Sequence, residues 1–424
     1  MALTKDEFFQ TWLQAGESQE PHIIETAWKR YQTTQEPTYT TIHESNDPDA
    51  QTFKSNFQHF LQHPDVAGSI ETTKFITRPA NILPWTPTGL NLQPGEQVST
   101  FASGRVWRSR VLDLFVPPQF ALWFRVGVNG EVFNSTRDTN TFTVKSGEGG
   151  ELYLANQFPA WWQEKSGRVV GDLAIYEKGG DGRLEVLVVV WKDGVDVASL
   201  LAGVDAGSEL VETEVQRPQA EQATDFPEEW YYFWFLGKST LYSSIEPSSG
   251  MNRKKCIHAK PDQSIGILMK DLESTPVFEK SVKVKWNWKI DALPSRLRED
   301  TTFSHDYLSV AFEFENGRDI TYTWSWELPV DYGYWCPLPT WEAREYHVVI
   351  RSGTTGLGEW LHEERDLFAD YEKYIGPKGG VPERITRVWL ISNGVFQRLK
   401  GEMTVSGIEI SGGGSGQGGV VEVL

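Results

Sequence analysis

Two polar clusters in the C-terminal half carry the residue types that acid–base or cation chemistry needs. The first is Arg298-Glu299-Asp300, followed closely by His305-Asp306-Tyr307. It leads into an alternating apolar run, where a β-sandwich places its end loops, and such loops often carry sites. Carboxylates beside an imidazole could hold a hard cation or move a proton. The plainer alternative is that Asp300 and Asp306 cap turns and pair with Arg298. The second cluster is Trp360, Glu363-Glu364-Arg365-Asp366 and Asp370-Tyr371. Glu363, Asp366 and Asp370 share a face if this stretch is helical. Arg365 could grip a carboxylate or phosphate with two bonds. The alternative is an Arg–Asp pair pinning a crossover to the sandwich.

Aromatic residues form a third set: Trp286, Trp288, Tyr322, Trp324 and Trp326. On an open sheet face they would stack on sugar rings or another flat ligand; between sheets they are simply core. Packing is the expectation for Trp286 and Trp288, whereas Trp324 and Trp326 are candidate ligand contacts. A fourth set is the strand Tyr346 to Arg351. Alternation puts His347, Val349 and Arg351 on one side, so His347 and Arg351 would reach one cleft. Cys336 precedes a proline in an aromatic loop and reads as structural rather than nucleophilic. No nucleophile elbow, zinc-protease helix, phosphate loop or C-x-x-C pair occurs.

The elements that must position these groups follow from periodicity. A capping box, Thr4 to Glu7, starts a helix with Phe8, Phe9, Trp12 and Leu13 on one face. A second helix should begin near Asp49, carry Phe53, Phe57, Phe60 and Leu61, and stop before Pro64. From about residue 75 the chain breaks into short strands between Gly, Pro and Asn. Leu184 to Trp191 is almost wholly apolar and should be a central strand buried on both faces. Residues 193–228 are acidic and read as a linker or draped loop. Beyond them Val282 to Ile290, Tyr307 to Glu315 and Thr321 to Trp326 alternate strictly. The expected organisation is a helical segment (1–70), a β-sandwich (71–192), the acidic linker (193–228), a jelly-roll-like sandwich (229–412) and a Gly-rich tail (413–424). The fold class is mostly β, with two sandwiches.

Composition narrows the partners. The 424 residues carry a net charge of −18, which disfavours nucleic acid and anionic membranes. No signal peptide and no apolar run long enough to span a bilayer are visible, so a cytoplasmic protein is expected. Its two cysteines then read as free and reduced. Eighteen Trp suggest large sandwich cores or stacking surfaces. No sequence feature selects an oligomeric state.

Two resemblances add to this reading. Trp85-Thr86-Pro87-Thr88-Gly89-Leu90, Gly95-Glu96, Ala102-Ser103-Gly104, Gly150-Glu151-Leu152-Tyr153-Leu154 and Ser166-Gly167 resemble the PA-I-type galactophilic lectins. The similarity covers roughly residues 75–192 and implies a small β-sandwich. Lectins of this type bind calcium and galactose through an Asn-Asp pair and an Asn-Asn pair. Here those positions read Asn156-Gln157 and Glu164-Lys165, so the resemblance implies the fold without the family's ligand set. A structural Ca2+ is the one cofactor considered. The second resemblance is to the domain-of-unknown-function family 3047, over roughly residues 230–410. It rests on LPSRLREDTTFSHDYLSVAFEFENGRDITYTWSW, CPLPTW, HVVIRSGTTGLGEWLHEERDLFADYEKYIG and RITRVWLISNGVFQ, in order. It implies a jelly-roll-like fold and no particular activity. Some members have an Asp-rich corner where this chain has Ser392-Asn393-Gly394.

The expected function is binding of a carbohydrate or glycan-like ligand, with Trp324, Trp326, His347, Arg351, Trp360 and Asp370 as contacts. The alternative is an enzyme on a small molecule or glycan, an acid–base hydrolase, lyase or cyclase. It would use Glu299, Asp300, His305, Asp306, Arg365 and Asp366. A structural or assembly protein is the third reading.

Overall fold

The computed structural model describes residues 49–424 except 110–113, 158–160, 163, 171–172, 223–224, 240, 247–254, 274–275, 302–303, 339–340, 377–379 and 413–419. The helix expected over residues 4–13 lies outside the described residues. The protein is mostly β, with several antiparallel sheets and a few short helices, and it divides into two compact units, Met1–Gln219 and Ala220–Leu424. No helix among the described residues is long and apolar enough to cross a membrane.

In the first unit one sheet runs Ile70–Pro79, Asp181–Trp191, Gln97–Ser109, Leu114–Val116, with Thr141–Thr143 also paired to Gln97–Ser109. A three-stranded sheet, Thr86–Leu92, Gly150–Asn156 and Leu122–Val126, shares a core with it. The apolar run Asp181–Trp191 is indeed central. Leu184, Val186, Val188 and Val190 face the other sheet, while Leu187, Val189 and Trp191 enter a second core with Phe53, Phe57 and Phe60. Phe53 and Phe60 come from short helices at Ala50–Asn56 and Gln58–Gln62, and Phe57 is the residue between them. Asp49 caps the first, accepting from the Thr52 N–H at 2.7 Å. Pro64 opens a further helix, Pro64–Ser69, because proline fits the first helical turn.

The acidic stretch at 193–228 is not a linker. It forms helices at Val197–Gly203 and Glu209–Gln222. Asp196 caps the first by accepting from Ser199 N–H at 3.1 Å. Val197, Leu201 and Val211 pack into the second core. Abundant surface acids mask a few apolar residues that suffice to seat each helix on the sheet.

The second unit pairs two sheets. The seven-stranded sheet runs Tyr231–Tyr232, Ile265–Asp271, Ile385–Asn393, Tyr307–Phe314, Asp319–Ser325, Glu345–Ser352, Gly333–Trp335. The six-stranded sheet runs Tyr242–Ile245, Cys256–Ala259, Glu402–Ser411, Lys283–Ala292, Trp360–Asp366, and Val420–Glu422 pairs with Glu402–Ser411. The residues after the glycines of the tail thus end as an edge strand, a correction to the tail expected over 413–424. Between the sheets lie Trp286, Trp288, Leu308, Val310, Phe312, Phe314, Tyr322 and Trp324. The Trp286 and Tyr322 rings stack at 5.3 Å.

One pair in the seven-stranded sheet is parallel, Asp319–Ser325 with Glu345–Ser352. Parallel neighbours cannot be joined by a tight turn. The connection over 326–344 therefore travels far, adds the short strand Gly333–Trp335, and buries Leu328 and Tyr334 against Val349.

Candidate metal centre

The seven-stranded sheet has a second face, away from the core, and its chemistry is different. Along Asp319–Ser325 the core side carries Ile320, Tyr322 and Trp324. The other side carries Asp319, Thr321, Thr323 and Ser325, all at most 2% exposed. Glu345 and His347 extend this polar face on the next strand, and Tyr307 and Ser309 extend it on the other side. Leu328 and Tyr334 pack on this face at Val349, and the rings of His305 and Tyr334 lie against His347.

At one end of this face four side chains converge. Each of His305, Cys336, Glu345 and His347 can offer one ligand atom, and these atoms lie within 4.8 Å of one another. None of the four is more than 2% exposed. His305 Nδ1 lies 2.6 Å from the Glu299 carbonyl oxygen. A carbonyl only accepts, so Nδ1 carries the proton and Nε2 has a free lone pair. That Nε2 is 3.4 Å from Cys336 Sγ. His347 Nε2 is 3.5 Å from Glu345 Oε1, which also accepts from the Tyr307 hydroxyl at 2.8 Å. Tyr334 stacks flat on His347, the ring centres 4.8 Å apart and the planes 7° apart. Among the described residues, neither ring nitrogen of His347 has a hydrogen-bond partner.

Burial sets the charges here. It pushes the Cys336 thiol well up, so the free side chain is no thiolate. Burial, together with His347 beside it, pushes His305 down to about 3, leaving a neutral imidazole. Asp319 sits beside Glu345 in the register, and burial with that neighbour raises it well above the usual carboxylate range. Burial opposes charge on Glu345 too, yet the adjacent His347 holds its carboxyl below the usual range. Glu345 is therefore the ionised member of the pair.

The residues singled out in the sequence fall into separate groups. His305 and His347 belong to the centre. Glu299 flanks it, buried, accepting from the Ser325 hydroxyl and from Trp326 N–H at 2.8 Å, with burial pushing it up to about 8. Asp300 is gripped by Arg298 at 2.8 and 2.5 Å and accepts from Tyr332 at 3.1 Å. Asp306 is buried and holds the backbone N–H groups of Phe396 and Gln397 at 3.0 and 2.5 Å. Asn393 donates to the His305 carbonyl at 2.6 Å.

The other cluster sits apart. Trp360–Asp366 is a strand of the six-stranded sheet, not a helix, so Glu363, Asp366 and Asp370 do not share a helical face. Arg365 grips Asp370 at 2.9 and 2.8 Å, and Asp370 also accepts from the core Tyr322 hydroxyl at 2.7 Å. Asp366 caps the short helix Leu367–Asp370. Trp324 is 1% exposed and its N–H donates to the Gly353 carbonyl at 2.8 Å, so it cannot stack on a ligand. Trp326 is half-buried against the same core, and Trp360 is half-buried on its strand.

Arg351 does not join His347. The register slips between Thr323 and Trp324, so that Thr323 faces Val349 and Trp324 faces Arg351. The extra residue, Ile350, turns Arg351 away from the polar face, and it pairs with Glu363 at 2.8 Å. Sequence reasoning missed Glu345 and assigned Cys336 to structure alone. Extending the alternation from His347 back by two residues would have found Glu345. The approach of Cys336 depends on the long connection and has no local signal.

A model of one family covers most of the second unit. Residues 228–409 match the family described as Protein of unknown function (DUF3047). No curated protein matches the chain. Among solved structures, the EclA N-terminal domain, a PllA-like lectin, is 20% identical over 27% of this chain and 94% of its own, with a TM-score of 0.20. The xyloglucanase domain of NopAA, a type three effector from Sinorhizobium fredii solved with cellobiose, is 9% identical over 40% of this chain and 86% of its own, at 0.27. Endoglucanase 3 of family GH12 from Trichoderma harzianum is 9% identical over 40% and 82%, at 0.25.

In the first unit, Asn156 is bonded to a buried arginine. Asn156 Oδ1 accepts from Arg78 Nε at 3.0 Å, and the same guanidinium donates to Thr86 and to the Leu83 carbonyl. Arg78 is 2% exposed. Asn156, the first of the residues read at the cation site, is therefore already bonded to a cation of the chain itself.

Proposed function

We propose that the C-terminal unit is a metal-binding domain that holds one zinc-class ion through His305, Cys336, Glu345 and His347. The observation that carries this reading is the convergence of the four ligand atoms within 4.8 Å on buried side chains. Bonds of about 2.0–2.3 Å in a tetrahedron put neighbouring ligand atoms about 3.3–3.8 Å apart. The two separations of 3.4 and 3.5 Å match such edges. A thiolate with two imidazoles and one carboxylate suits zinc or a neighbouring transition metal, whereas calcium takes six to eight oxygens. Outer-sphere support is in place, with the Glu299 carbonyl orienting His305 and Tyr307 orienting Glu345. Four protein ligands complete a closed coordination shell of the kind that ties structure together. Here the ion would bind the connection over 326–344 and the loop before Tyr307 to the sheet.

A hydrogen-bonded cluster without metal accounts less well for the site, since among the described residues His347 has an ion-pair contact with Glu345 at 3.5 Å but no hydrogen bond at either nitrogen. The hydrolase reading loses Asp300 to Arg298, and Glu299, Asp306 and Asp366 to backbone N–H groups. The test is elemental analysis of the full chain after dialysis against zinc. One equivalent in the wild type and a large loss in His347→Ala and Cys336→Ser are expected. Substoichiometric zinc in the wild type, with thermal stability unchanged by chelator, would overturn the reading.

A further inference from the structure

The three-stranded sheet of the first unit carries a guanidinium that, among the described residues, no acid answers. Phe124, Val126, Leu152 and Leu154 point into the core. Alternation therefore turns Arg125 and Tyr153, which pair across neighbouring strands, to the outer side. The guanidinium carbon of Arg125 lies 4.4 Å from the centre of the Trp85 ring and 5.2 Å from that of Tyr153. Among the described residues Arg125 has no side-chain hydrogen bond and no ion pair. Its Nε is sealed from solvent without a partner, whereas the residue as a whole stays partly exposed. Burial lowers its pKa, and no carboxylate is among the groups that offset this.

The chain leaves ordinary backbone geometry to hold this arrangement. Trp85 has a φ of 61°, a left-handed conformation rare for a bulky residue. Its indole N–H donates to the Gly167 carbonyl at 2.8 Å, and the Trp162 ring lies 5.1 Å from its own. Gly167 has no room for a side chain, since a Cβ there would come within 2.6 Å of the Trp85 ring. Trp85 is thus fixed against Arg125 by a backbone and a glycine that a freely moving surface arginine would not need. Strain of this kind clusters at ligand clamps.

A guanidinium packed by its face on rings keeps its N–H edge for hydrogen bonds. That edge is a fork that matches the two oxygens of a carboxylate. The chain has 58 acidic residues, yet among the described ones none pairs with this fork. The rings beside it suit the apolar body of a molecule that brings its own anion.

We propose that Arg125, held by Trp85 and Tyr153, is a binding site for a small molecule bearing a carboxylate on an apolar body. The site lies in the first unit and does not rest on the metal reading of the second.

The experiment titrates the full chain calorimetrically with benzoate, with phenyl phosphate as the other oxyanion and benzamide as the neutral control. Saturable heat with benzoate and none with benzamide is expected. Arg125→Met should bind benzoate roughly tenfold or more weakly, the loss expected for charge-assisted hydrogen bonds, at wild-type thermal stability. Arg125→Lys keeps the charge without the fork and should also bind more weakly. Absence of heat with benzoate overturns the proposal, as does equal binding of benzamide, which would leave only apolar contact. Unchanged benzoate affinity in Arg125→Met overturns it too. Should that variant fail to fold, Arg125→Lys decides in its place by the same criterion. Saturation by phenyl phosphate alone overturns the carboxylate assignment.

Discussion

The Nε2 of His305 lies 3.4 Å from the Sγ of Cys336, although 31 positions separate the two residues in the chain. The neutral thiol donates to the lone pair on Nε2, and both atoms converge with those of Glu345 and His347. The measurable consequences begin with that arrangement.

Tyr307→Phe should weaken metal binding without abolishing it. The hydroxyl that steadies Glu345 is lost while all four ligands remain. Outer-sphere changes of this kind reduce affinity about 10–100-fold. Competition with a chromophoric chelator reads the change directly. A wild-type affinity in Tyr307→Phe would show that Glu345 is not a ligand.

Trp324→Ala should cost about 3–5 kcal/mol in urea unfolding, as expected for a large ring removed from a packed core. Metal stoichiometry should stay at the wild-type value. If instead stability held and ligand binding fell, Trp324 would have to be reassigned from core to contact.

Asp370→Ala should destabilise by up to about 3 kcal/mol, since it strips partners from Arg365 and from the Tyr322 hydroxyl together. Tyr322→Phe should cost only about 1 kcal/mol. Denaturant midpoints of the two variants check the order, and a larger loss in Tyr322→Phe would contradict it.

Glu185 gives the pH prediction. It is 2% exposed, and burial raises its pKa above 4.5, against the pull of the Thr77 hydroxyl at 2.7 Å and of Arg183. The folded state therefore holds this proton more tightly than the unfolded chain does. Its contribution is fully present below about pH 4.5 and is lost as pH rises through the folded value. Glu185→Gln removes the ionisation, so its stability relative to wild type should be greater at pH 8 than at pH 4. Urea midpoints at both values measure this, and the opposite slope would sink the assignment.

Much of the fold is legible in the sequence where one period dominates. Alternation from Leu308 to Phe314 and from Val284 to Ile290 assigns the core faces correctly, because each side chain answers to a single sheet. Legibility fails where a tertiary event intervenes. One inserted residue, Ile350, breaks the pairing of His347 with Arg351 on a common face. A strand replaces the helix that Glu363, Asp366 and Asp370 would have shared. The helices over 197–222 look like a linker because their apolar residues are few and need the sheet to become buried. The centre itself was half visible, in His305 and His347. Its other half depends on a parallel strand pair that forces a long connection across the sheet, and no window of sequence displays that.

Arg78 has a consequence of another kind. The first unit holds a buried side-chain guanidinium of its own, bonded to Asn156. Such a charge cannot be chelated, diluted or exchanged for an ion of another size. The contacts that it makes are therefore constitutive.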